Sequence, residues 1–210
     1  MKVLLVNGSP HMKGCTNKAL ELVGDELVAN GIEADHFWIK NKPITGCIGC
    51  YRCVETRECI FKGDSVTEFQ EIAGNYDGYV FGAPVYYAGM AGSMKAFLDR
   101  AFMSNQGRVK YAFKPAAVVA SARRAGTTAT LEDLNKFVAY WQMVQVHTKY
   151  WPMVHGSTPE QVMQDEEGVQ IMQTLGRNMA YVLKCMEAGR NAGIEKPEPI
   201  RPAARTDFIR

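Results

Sequence analysis

Residues 1 to 17 read MKVLLVNGSPHMKGCTN, and the order of residue types within them decides the fold class. Val3, Leu4, Leu5 and Val6 form an unbroken apolar run that stops at Asn7-Gly8. A run without alternation marks a short strand covered on both faces, as in the middle of a parallel sheet. Helical spacing follows: from Asn17, Leu20, Val23, Leu27 and Val28 recur on one face, and Asn30-Gly31 supplies a left-handed stop.

Working outward from this junction, Ile32 to Ile39 alternates weakly and reads as an edge strand. Ser65 and Glu68 have the spacing of a capping box ahead of Val66, Phe69, Ile72 and Ala73, which predicts a second helix. Gly78 to Gly82 is a third strand, Met94, Phe97, Leu98, Ala101 and Phe102 line a third helix, and Ala116 to Ala120 is a fourth, buried strand. Leu131, Leu134, Phe137, Val138 and Trp141 define a fourth helix, and Val144 to Thr148 a short fifth strand. Thr158-Pro159 predicts the start of a long last helix reaching about Gly189, with proline suited to the first helical position. Strands alternating with helices in this way imply an α/β fold, a doubly wound parallel sheet with right-handed crossovers covering both faces. The expected organisation is a single domain over residues 1–195 carrying a cysteine-rich loop at 46–60. An extended tail over 196–210 follows, with Pro197, Pro199 and Pro202.

The chain's 210 residues are enough for one sizeable core. Apolar residues make up 47% and charged residues 22%, and a net charge of +2 gives no electrostatic reason for nucleic acid or an anionic membrane as partner. No apolar run approaches the roughly 20 residues of a membrane span, and no leader pattern opens the chain, so a cytoplasmic protein is expected. In that reducing setting, cysteines 15, 47, 50, 53, 59 and 185 point to metal or redox chemistry rather than to structural disulfides.

Ligands of open α/β sheets lie beyond the carboxyl ends of the strands, which directs attention to Gly8 to Asn17. A Walker A loop is excluded, because five residues separate Gly8 from Gly14 and Lys13 precedes the second glycine. The G-x-G-x-x-G pattern for a pyrophosphate is absent as well. Ser9, Thr16 and Asn17 instead group hydroxyls and an amide at a helix N-terminus, a setting that suits a phosphate monoester. An ordinary strand-to-helix turn with Thr16 as N-cap is the alternative. Cys15 lacks the Cys-x5-Arg spacing of a phosphatase, since residue 21 is Glu.

Cys47-x2-Cys50-x2-Cys53-x5-Cys59 brings four soft donors onto one short, largely non-helical loop, where Gly46 and Gly49 let the backbone wrap. Closely spaced Cys-x2-Cys-x2-Cys runs are typical of [4Fe–4S] ligation, whereas structural zinc sites usually pair two separated knuckles. Unligated or redox-active thiols are the alternative. Cys185 is expected in the core. His11, His36, His147 and His155 are scattered, and no residue is assigned a general acid or base role.

GSPHMKGCTN (8–17), FGAPVYYAGMAGSMKAFLDR (81–100) and the cysteine segment between them together resemble the flavodoxin-like NAD(P)H-dependent FMN reductase superfamily, and within it the iron-sulfur flavoproteins. The likeness spans roughly the first 150 residues and rests on the combination of motifs. It implies the strand order 2-1-3-4-5 with FMN beside strands one and three. By the same resemblance Ser9, Thr16 and Asn17 hold the FMN phosphate, and Cys15 sits among the cofactor-binding positions. His11 stands where the family often has arginine, which leaves the phosphate more dependent on backbone N–H groups. Pro84, Val85, Tyr86 and Tyr87 match the loop against the isoalloxazine edge, with ordinary packing as the alternative for either tyrosine. Ser121 to Gly126 matches the loop near the pyrimidine end, where Arg123 or Arg124 would favour a reduced, anionic ring, with a solvated surface pair as the alternative.

Three functions follow. An iron-sulfur flavoprotein would hold FMN and a [4Fe–4S] cluster on Cys47, Cys50, Cys53 and Cys59 and convert between two-electron and one-electron transfer. An NAD(P)H-dependent FMN or quinone reductase would hold no metal on those cysteines, as in relatives described only as flavin reductases. A flavodoxin-like carrier would have an acidic docking face, which 24 basic against 22 acidic residues do not supply. NAD(P)H is a candidate co-substrate that would share the flavin pocket, because a second nucleotide fingerprint is missing. The expected partners are a small-molecule or protein electron donor or acceptor such as ferredoxin, and further copies of the chain in a homodimer or homotetramer.

Overall fold

Val3 to Val6 are fully buried in β1 (Lys2–Asn7), because helices cover both faces of the sheet it centres. β2 (Glu33–Trp38) pairs along one edge and β3 (Gly78–Tyr86) along the other. In this computed structural model, which describes residues 1–105 and 111–198, the sheet continues through β5 (Pro115–Ala122) to β6 (Val144–Gln145). β4 (Gly89–Met90) folds back antiparallel on β3. With that hairpin strand set aside, the observed order β2-β1-β3-β5-β6 is the expected 2-1-3-4-5 flavodoxin-like arrangement.

Alternation along β1 builds two cores. Val3 and Leu5 join the layer made with α1 (Cys15–Ala29) and α7 (Glu166–Asn191), where Leu20, Val23, Met172, Leu175 and Met179 are buried. Leu4 and Val6 join the opposite layer of α3 (Ser65–Ile72), α4 (Gly92–Ser104) and α5 (Thr127–Tyr140), through Phe69, Phe97 and Leu134. Helices thus cover both faces, which leaves the strand ends as the place where loops meet. Among the described residues no helix is long and apolar enough to cross a membrane.

Several boundaries depart from the sequence reading. α1 begins at Cys15 with Gly14 as N-cap, so Thr16 lies inside the first turn and is not the cap. The expected capping box shifts by one residue: Asp64 Oδ1 accepts from Val66 N at 3.1 Å and from Thr67 N at 3.3 Å, while Glu68 turns to Lys40 Nζ at 2.5 Å. A carboxylate is a stronger acceptor than a hydroxyl, and Ser65 Oγ is left buried without a partner among the described residues.

The cysteine segment, expected to be largely non-helical, contains the short α2 (Arg52–Thr56). The fifth strand is split, with β6 beside Pro115 and Ala116 and β7 (Met153–His155) beside Ala120 to Ala122. Residues 146–152 lie between the two pieces, and Pro152, which has no N–H to give the ladder, still accepts from Ala120 N at 3.0 Å. The long last helix also divides: Thr158 caps only α6 (Pro159–Val162), and Asp165 caps α7 by accepting from Gly168 N at 3.0 Å. Cys185, expected in the core, is exposed on α7. Of the tail, Pro199 and Pro202 lie outside the described residues.

Candidate functional site

The first β-α junction is built by backbone approach and side-chain ties. Gly8 N donates to Gly82 O at 2.8 Å, and a Cβ on Gly8 would sit 2.5 Å from Met94 Sδ and 2.7 Å from that same carbonyl. Only glycine lets the chain leave β1 so close to β3. Asn7 Oδ1 then accepts from Ser9 N at 3.0 Å while its Nδ2 donates to Met12 O at 3.1 Å, and Ser9 Oγ accepts from His11 N at 3.1 Å. From the end of β2, Trp38 Nε1 donates to Ser9 O at 2.7 Å and fastens the loop from outside.

No side chain caps α1 and its first turn carries no acid, so its leading N–H groups and the positive end of its dipole are free to attract an anion. Thr16 and Ser121 share a buried hydrogen bond of 2.7 Å between their hydroxyls. Asn17 Nδ2 donates to Glu21 Oε1 at 2.6 Å, which turns this amide along the helix. Cys15 Sγ donates to Gly156 O at 3.4 Å. Burial pushes the Cys15 thiol up, its backbone hydrogen bond opposes, and Glu160 adds to the rise, so this cysteine stays protonated at neutral pH. His11 and Lys13 are exposed beside an open concavity that also includes Trp38 and Asn41.

Two further loops reach the same edge. The sequence-predicted loop at Pro84 to Tyr87 is mostly strand: Val85 pairs with Met90 and Tyr86 with Gly89, leaving Tyr87-Ala88 as a two-residue turn. Both turn residues have positive φ, 49° and 60°, as a type I′ hairpin requires. Tyr86 and Tyr87 are both exposed, Tyr87 fully. Pro84 stands in register with Ser121. Gly126, at φ 95°, comes so near that a Cβ there would lie 2.5 Å from Ala88 Cα. The structure therefore gathers Ser9, Thr16 and Ser121 at one junction and places Pro84 to Tyr87 against Gly126 on the same sheet edge. Arg123 and Arg124 are exposed on the loop between them.

The four clustered cysteines border a different concavity, walled by Ile48, Ile60 and Phe61 and floored by Arg100, Met103 and Ser104 of α4. Positive φ at Gly49, Tyr51 and Arg57 turns the chain around it. Cys47 and Cys50 are exposed, Cys59 is half-buried and Cys53 is buried, its Sγ donating to Met103 O at 3.6 Å. Burial pushes the Cys53 thiol up, its backbone hydrogen bond opposes, and negative charge on Cys47, Cys50 and Cys59 drives it further. Four cysteines bordering one apolar recess are a donor set of the right chemistry for an iron-sulfur cluster. Among the described residues no three ligating side chains are close enough to hold a single metal ion as they stand.

Arg100 lines this recess, and the sequence reading did not single it out. It is 1% exposed, yet its Nε donates to Cys59 Sγ at 3.3 Å. Burial draws the Arg100 pKa down, but the hydrogen bonds and charges of Asp64 and Cys59 outweigh burial and leave it raised. The available signal was a cation on the same α4 face as Phe97 and Ser104. Asn7 and Trp38 were missed too, since nothing in the order of residues announces a tie between the end of an edge strand and this loop.

The sequence model of the NADPH-dependent FMN reductase family matches residues 1–158. An iron-sulfur flavoprotein of Methanocaldococcus jannaschii is 27% identical over 194 residues, covering 89% of this chain and 100% of its own. One from Archaeoglobus fulgidus is 29% identical over 171 residues, covering 80% and 83%. The solved WrbA-like flavodoxin of Agrobacterium tumefaciens is alike in fold, with a TM-score of 0.61 at 15% identity over 88% of this chain and 98% of that one.

Proposed function

Because the chain belongs to the NADPH-dependent FMN reductase family, we propose that it is an FMN-dependent oxidoreductase of the iron-sulfur flavoprotein type. Family membership makes it a flavin-dependent oxidoreductase. What supports the finer reading is one observation: four cysteines border a single recess on a flavodoxin-like sheet. When bound, FMN supplies both two-electron and one-electron chemistry and a [4Fe–4S] cluster supplies one-electron chemistry.

The protein's own contribution is to bind, orient and exclude water. The uncapped N–H groups of α1 with Ser9, Thr16 and Asn17 would hold the FMN phosphate. Pro84 to Tyr87 would border the ring, and the exposed faces of Tyr86 and Tyr87 would shield it from water. Arg123 or Arg124 would place positive charge nearby. Cys47, Cys50, Cys53 and Cys59 would ligate the cluster as thiolates. The external electron partner is a small molecule or a protein such as ferredoxin, and the working unit is a homodimer or homotetramer. A second reading, an NAD(P)H-dependent FMN or quinone reductase without a cluster, is supported by the NADPH-dependent FMN reductase model that matches residues 1–158.

Anaerobic purification with FMN, iron and acid-labile sulfide counts separates the two. The expected result is bound FMN with about four iron and four sulfide per chain. Iron-free protein that retains FMN and turns over NAD(P)H would select the second reading. A colourless preparation that ignores added FMN would defeat both.

A further inference from the structure

We infer that Arg100 is the positioning residue of the cysteine recess, holding both ends of the cysteine loop and setting the charge beside Cys59. The inference rests on the cluster reading above. A guanidinium this deeply buried is retained only with partners, and among the described residues its side-chain hydrogen bonds all go to the segment around the cysteines. Nη1 donates to Thr45 O at 3.3 Å, just before Cys47. Nη2 donates to Phe61 O at 3.0 Å, just after Cys59, and the guanidinium lies 5.1 Å from the Phe61 ring centroid. Nη1 also pairs with the Asp64 carboxylate, the N-cap of α3. One rigid side chain thereby pins the loop where it enters and where it leaves, against α4.

Arg100 also treats the four sulfurs unequally. Cys59 receives an N–H donor from a cation, whereas the buried Cys53 faces a carbonyl oxygen. Donors to ligand sulfur and nearby positive charge favour the more reduced, more negative state of an iron-sulfur centre. Asp64 opposes that effect by neutralising part of the charge. Removing the cation and removing its counter-ion should therefore move the centre's potential in opposite directions, which a merely structural role would not do.

The test uses the purified full chain, wild type beside Arg100→Gln, Arg100→Lys and Asp64→Asn, the last keeping a good N-cap residue. FMN, iron and sulfide are counted per chain, and FMN and cluster midpoint potentials are measured by redox titration. Arg100→Gln should shift the cluster to a more negative potential and lose a substantial part of its iron and sulfide, while FMN content and potential stay unchanged. Arg100→Lys should recover most of the potential but not the metal content, because it restores charge without the forked donor. Asp64→Asn should shift the potential positive. Unchanged potentials and metal content in all variants would overturn the inference alone. Wild-type protein that retains FMN but holds neither iron nor sulfide would overturn the cluster reading, and the inference with it. Should Arg100→Gln fail to fold, Asp64→Asn decides, a positive shift supporting the inference and no shift overturning it.

Discussion

Thr16 and Ser121 lie far apart in the chain and share one buried hydrogen bond of 2.7 Å, which ties the first β-α junction to the loop after β5. Thr16→Val keeps the shape and removes the hydroxyl, leaving Ser121 Oγ without that partner in a buried site. The expected cost is about 1–3 kcal/mol, read as a lower denaturant midpoint, with weaker FMN retention on titration. The double variant Thr16→Val with Ser121→Ala should be closer to wild type in stability than Thr16→Val, since no orphaned group remains. A double variant no more stable than the single one would show that the pair is not what holds the junction. Ser9, Thr16 and Asn17 were legible as candidates because polar residues crowd a loop directly after a buried strand. That Thr16 turns to Ser121 and Asn17 to Glu21 was not legible, because the rotamer depends on neighbours distant in sequence.

Between elements, the contact of α1 with α7 depends on a glycine. A Cβ on Gly176 would sit 2.6 Å from Glu26 Cβ and 2.6 Å from Val23 O, and a helix carbonyl cannot swing aside. Gly176→Ala should force the helices apart and cost about 1–3 kcal/mol, a fall in Tm of roughly 2–4 °C per kcal/mol in a chain of this size. Calorimetry of the apoprotein checks it, and an unchanged Tm would mean that the two helices separate freely. The neighbouring forked pair between Arg177 and Glu26, with both contacts at 2.9 Å, is exposed on the arginine side and adds little. At this scale the order of the main elements was legible from apolar spacing together with stop and cap residues such as Asn30-Gly31 and Thr158-Pro159. Their ends were not, because Asp64 and Asp165 win the caps through what else they hold: Asp64 also engages Arg100, and Asp165 Oδ2 also accepts from His155 N at 2.7 Å.

For the whole molecule, three phenols make stability depend on alkaline pH. Burial, with Asp35 adding, pushes Tyr76 from the ordinary 10 up to about 12, and burial pushes Tyr79 and Tyr111 further up. A folded-state pKa above the unfolded value contributes stability that is fully present below about pH 10 and disappears as pH rises toward the folded value. The denaturant midpoint should therefore fall between about 10 and 12, with a shallower fall in Tyr76→Phe. A midpoint level across that window would show that these phenols do not titrate against folding.

The sequence by itself determined the doubly wound sheet, the polar loop that follows β1 and the close spacing of four cysteines, because each is written in neighbouring residues. Apolar runs, helical spacing and cysteine spacing all act over a few positions. Only the tertiary structure decided that Trp38 fastens the first loop, that Gly126 meets the Tyr87-Ala88 turn, and that Arg100 reaches Cys59 across 41 positions. Those contacts join side chains whose separation along the chain carries no pattern, and they exist only once packing has excluded water and set the distances.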